Sequence, residues 1–174
     1  MPPLSAAQSQ VDHMRSSVYQ AEDQFSAVCN RGGLVDFFGS SIDVPIQRRF
    51  GDIDSVKRYV KFVIGLMEDS YPQLTMPRVR IRKGSTRAHY EFSTKTIAIP
   101  VSDQWALRET VVLHEIAHHV AWFKFGESVK PHGGEFTACM LELVDRTLGE
   151  GAALLLRAGY QELGVPVTTT GCES

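Results

Sequence analysis

Val111-Val112-Leu113-His114-Glu115-Ile116-Ala117-His118-His119-Val120-Ala121-Trp122-Phe123 decides how this chain is read. The stretch is apolar apart from three histidines and one glutamate, so it predicts a helix buried on every side, spanning Trp105 to Phe125. Within it, His114 and His118 stand at i and i+4, on one face and about 6 Å apart at Cβ. That separation lets both imidazoles bind one zinc ion. Glu115 falls beside that face, where its carboxylate can take a proton from an attacking water. Burying two imidazoles and a carboxylate in so apolar a helix costs free energy that a metal ion offsets. His119 turns away from the pair and reads as structural.

A catalytic zinc site needs a third protein ligand and keeps a fourth position open. His132 is the best-placed candidate, because it follows Pro131, precedes Gly133-Gly134 and sits where a loop meets the next helix. Four of the six histidines fall between positions 114 and 132, and this clustering favours it. Glu135 and Glu142, on the following helix, compete for the role. A donor to the developing oxyanion is also required, and Tyr160, Tyr90, His89 and Arg87 are candidates among which spacing does not choose.

The flanks supply the rest of an α+β domain. Val11, Met14, Val18, Ala21, Phe25 and Val28 form one helical stripe that ends at Gly32-Gly33. Leu34 to Pro45 is a short hairpin or a packed loop. Asp52 or Asp54 caps a second helix carried by Ile53, Val56, Val60, Val63 and Met67. From Pro77 the period becomes two. Arg78 to Arg82, Arg87 to Phe92 and Lys95 to Pro100 predict a three-stranded antiparallel meander, turned at Gly84-Ser85-Thr86 and at Ser93-Thr94. Further helices are marked by Phe136, Met140, Leu143 and Leu148, and by Ala152 to Leu163. The whole chain, 1–174, reads as one domain, with 1–8 and 168–174 as flexible ends.

Composition removes several classes of function. Three cysteines without a CxxC pattern indicate neither a disulfide framework nor a cysteine zinc site. A formal charge of -2 argues against protein-wide attraction to nucleic acid or to an anionic membrane. The arginines at 78, 80, 82 and 87, with Lys83, could face phosphates, but alternating arginines also keep an edge strand solvated and unpaired. No apolar run approaches the roughly 20 residues of a membrane span, and Met1 to Gln10 lacks a signal-peptide pattern, so a cytoplasmic protein is expected.

His114-Glu115-x-x-His118, followed by His132-Gly133-Gly134-Glu135-Phe136, resembles the HExxH and HGxEF signature of SprT-like zinc metalloproteases, the group that includes the Spartan DNA-protein crosslink proteases. The likeness covers about positions 78 to 148. The whole chain, with Arg48-Arg49-Phe50-Gly51 and the helix from Asp54 to Val63, also resembles a bacterial and phage family of metallohydrolases without an assigned substrate. These resemblances imply a minimal zincin-like domain, zinc ligands His114, His118 and His132, and Glu115 as catalytic base. They imply a protein or peptide substrate held along an edge strand. DNA enters only weakly, since no cysteine zinc ribbon or basic extension follows the last helix. The alternative is a non-catalytic, zinc-stabilised DNA- or protein-binding module, against which the presence of Glu115 speaks.

Overall fold

The computed structural model describes residues 12–169. Val11, Cys172 and most of the two expected flexible ends lie outside them. The first helix, α1 (Arg15–Arg31), buries Val18, Ala21 and Phe25 of the expected stripe, while at its end Cys29 is buried and the expected Val28 is only half-buried. It stops at Gly32, which has φ +63°. A Cβ there would lie 2.5 Å from Ile46 Cγ1, so glycine is required both for its backbone and for the close approach of the next segment.

A hairpin follows, β1 (Gly33–Phe37) with β2 (Ser40–Val44), resolving the choice left open for this stretch. Phe38 and Gly39 make its two-residue turn, and both have positive φ, as the favoured hairpin turns require. Helix α2 (Ile53–Met67) begins at Asp52, whose side chain accepts from Ser55 N–H while the Ser55 hydroxyl accepts from Asp52 N–H. This reciprocal cap satisfies two backbone donors that a helix start otherwise leaves open.

The three strands β3 (Arg78–Ile81), β4 (His89–Glu91) and β5 (Thr96–Ile99) form where the period-two pattern placed them, but not as an antiparallel meander. Their order is β3-β5-β4; β4 pairs antiparallel with β5, and β3 pairs parallel with it. Burial explains the correction. All four residues of Thr96-Ile97-Ala98-Ile99 are buried, so β5 takes the middle, while Arg78-Val79-Arg80-Ile81 is largely solvated and can only be an edge. The segment at Gly84 therefore carries the chain past β5 instead of closing a tight hairpin.

Helix α3 (Glu109–Phe125) starts later than its apolar run suggests, because Gln104 to Leu107 fold into turns, with Asp103 Oδ1 accepting from Trp105 N–H at 2.9 Å, and Arg108 is extended and bridges to Arg49. Its first residue is an anchor. The fully buried Glu109 carboxylate accepts from Arg48 N–H (2.7 Å), Arg48 Nη1 (2.6 Å) and Tyr59 OH (2.6 Å), tying the 47–50 segment and α2 to the positive end of α3. Helices α4 (Gly134–Leu148) and α5 (Glu150–Glu162) complete the domain. Helix α4 packs on both α3 and α5, and α5 packs on α1. Side chains of α1 reach α3 at Thr110 and His114, so α1 lies over the face of α3 that carries His114.

Candidate metal centre

His114 and His118 lie one turn apart on α3, and His132 lies in the loop just before Gly133, the N-cap of α4. All three are buried. The Nε2 of His114 is 3.2 Å from that of His118 and 3.3 Å from that of His132. Three nitrogens each about 2.0–2.1 Å from a tetrahedral zinc would be about 3.3–3.4 Å apart, which the two separations from His114 match, and all three ligand atoms lie within 4.8 Å of one another. Among the described residues this is the one His/Cys/Asp/Glu group close enough to hold a metal.

The chemistry of the donors points the same way. His114 Nδ1 is 2.6 Å from Glu22 Oε2, and His132 Nδ1 is hydrogen-bonded to Asp12 Oδ2. Carboxylates only accept, so each Nδ1 carries a proton and each facing Nε2 is free to present a lone pair. Lone pairs that face each other across about 3 Å repel unless a proton or a metal ion lies between them. A divalent metal fits this cage.

Aromatic rings set the cage. Phe136, in the first turn of α4, packs against all three imidazoles, with centroid distances of 4.8 Å to His114, 4.5 Å to His118 and 5.2 Å to His132. Tyr19 stacks on His114 at 5.0 Å and tilts over His132 at 5.4 Å. His118 is flanked by Tyr90 and Phe92. The glycines at the start of α4 let it begin in a crowded place. A Cβ on Gly134 would lie 2.4 Å from Thr168 Oγ1, where Thr168 N–H donates to the Gly134 carbonyl.

The competing ligands are elsewhere. Glu142 accepts from Tyr71 OH and Arg146, and the Glu135 carboxylate turns back toward Gly133. His119, read as structural, accepts at Nδ1 from Tyr90 OH (2.8 Å) and donates from Nε2 to the Thr75 carbonyl (2.6 Å), which fixes its tautomer.

Glu115 lines a small pocket beside His114, with Tyr19, Asp23, Arg87 and Trp105 among its other walls. Burial pushes the Glu115 carboxyl up to about 7; the positive field of His114 opposes this and the charge of Glu22 adds to it. His114 itself would be lowered by burial, but the charge and hydrogen bond of Glu22 more than offset that and raise it. Burial and the other imidazoles hold His118 well below the usual range.

Of the four candidate oxyanion donors, two are already engaged. Tyr160 OH donates to Glu22 Oε1 at 2.7 Å, and Tyr90 OH is bound to His119. His89 is exposed on β4, and Arg87 reaches the pocket with its guanidinium over the Tyr19 ring. In the basic cluster, Arg80 pairs with Glu91 across β5 and Arg82 donates to the Arg87 carbonyl at 2.7 Å.

Sequence reasoning missed Asp12, Tyr19 and Glu22. For Glu22 a signal existed: it lies four residues after Val18 and three before Phe25, on the buried stripe of α1, where an acid is out of place without a partner.

A model of the SprT-like family matches residues 67–154, just over half of the chain and inclusive of all three histidines and Glu115. No curated protein and no solved structure matches it.

Proposed function

The chain belongs to the SprT-like family, and on that premise we propose that it is a zinc-dependent hydrolase, specifically a metallopeptidase with Glu115 as general base. The observation that carries the reading is the convergence of three imidazole Nε2 atoms, within 4.8 Å of one another, beside a pocket lined by a buried glutamate. Zinc, when bound, acidifies water and polarises a carbonyl. The remaining work falls to this chain. His114, His118 and His132 hold the ion. Glu115 takes a proton from the attacking water and returns it to the leaving amine, from its place on the pocket wall beside His114. Arg87, at the pocket, is the candidate best placed to meet negative charge developing on the substrate.

A peptide is favoured over another amide or an ester by β4. It is an edge strand, it packs on α3, and its Tyr90 ring lies 6.2 Å from that of His118. An extended chain pairing with that edge would run past the metal, which is also the ground for a zincin-like reading of the fold. Among the described residues no helix is long and apolar enough to cross a membrane.

The test compares the parent with Glu115→Gln on unfolded proteins and peptides, with and without single- and double-stranded DNA, and with the protein itself as target. Cleavage by the zinc-loaded parent that Glu115→Gln lacks supports the reading. If the parent binds zinc and a partner but cleaves nothing, the binding-module alternative replaces it.

A further inference from the structure

The segment matching the family ends at residue 154 and begins at residue 67, yet two of the three imidazoles are held by groups outside it. Glu22 Oε2 takes the Nδ1 proton of His114 at 2.6 Å, and Tyr160, fully buried on α5, donates to Glu22 Oε1 at 2.7 Å. Asp12, just before α1, takes the Nδ1 proton of His132. Among the described residues no carboxylate lies against His118, which is packed by rings instead.

Three neutral imidazoles carry no charge. A divalent cation would bring +2 into a cage whose histidines are at most 7% exposed, and an uncompensated charge there is costly. Two carboxylates, each against one ligand's Nδ1, bring -2. We infer that Glu22 and Asp12 are the counter-charges and positioning residues of the metal centre, with Tyr160 fixing Glu22 in place, so that α1 and the segment leading into it complete a site whose ligands lie on α3 and before α4. The inference rests on the zinc reading above. Physically, each carboxylate selects the tautomer that leaves Nε2 unprotonated, and it stops the imidazole from turning. Tyr19, stacked at 21° on the His114 ring, blocks the same rotation from the face. Groups of this kind typically change metal affinity by about 10–100-fold when removed.

Glu22 could instead serve only to join α1, α3 and α5, and the test separates the two roles. Zinc affinity is measured by competition with a chromophoric chelator for the parent, Glu22→Gln, Glu22→Ala, Asp12→Asn and Tyr160→Phe. The cobalt-substituted visible spectrum and the melting temperature of each metal-free protein are recorded beside it. Glutamine and asparagine keep a hydrogen-bond acceptor and remove the charge. Glu22→Gln and Asp12→Asn should therefore weaken zinc binding by about tenfold or more, with the metal-free melting temperature changed little. Glu22→Ala should also alter the cobalt spectrum, and Tyr160→Phe should cost less than Glu22→Gln. If Glu22→Ala does not fold, the near-isosteric variants decide. Zinc affinities of Glu22→Gln and Asp12→Asn within twofold of the parent would overturn the inference and leave the zinc site standing, as would affinity losses that merely track losses in metal-free stability. A parent that binds no zinc overturns both.

Discussion

His114 Nε2 and His132 Nε2 stand 3.3 Å apart although 18 positions separate them in sequence, so the loop before α4 must hold its shape for the pair to meet. His132→Ala should consequently bind zinc far more weakly than the parent. His119→Ala should keep its zinc, since that imidazole is spent on Tyr90 and Thr75, and lose stability by stranding the buried Tyr90 hydroxyl, at roughly 1–3 kcal/mol. Metal analysis with a denaturation curve checks both, and zinc retention by His132→Ala would remove that residue from the ligand set.

Chelation of the metal should lower the melting temperature, because the ligands come from α3 and from the loop that seats α4, and a ligand bound only by the native state stabilises it by mass action. The shift should grow with free zinc concentration. A melting curve indifferent to zinc, in protein shown to bind it, would separate the cage from the fold.

Glu115→Gln should retain zinc and the native fold while hydrolysis falls by about 100- to 10,000-fold, the range of a positioned base. Steady-state kinetics on any substrate found by the cleavage screen provides the measure. The loss should appear mainly in kcat, since glutamine preserves the shape of the pocket.

Acid stability offers an independent check on α2. Hydrogen bonds from Ser55 hold the Asp52 carboxyl below its ordinary value of 3.8. A carboxyl depressed in the native state contributes stability that is present above the unfolded value and is lost as pH falls through the lower native one. Asp52→Ala should therefore be less stable than the parent near neutrality and should approach it below pH 3.8, in paired urea titrations. A constant gap across that range would assign the loss to something other than the ionised cap.

What was legible in the sequence was local. The HExxH spacing needs only one helical turn to become two converging imidazoles, and His132 was marked by the glycines after it. The strands were visible from their period, but pairing order depends on which strand is buried from both faces, and that emerges only when Thr96–Ile99 is compared with its neighbours in space. Asp12 meets His132 across 120 positions and Glu22 meets His114 across 92. Such contacts are made by the packing of α1 against α5, and no spacing rule reaches them.

Phe136 has a consequence for how this centre can change over evolutionary time. One ring lies beneath three imidazoles at 4.5–5.2 Å, so truncating it withdraws support from every ligand together. Residues that share a partner show coupled, non-additive effects. Replacement of any one histidine by a differently shaped ligand would thus be filtered first through the fit of that single ring. Exchange of the coordinating set should proceed by paired substitutions that include position 136, or not at all.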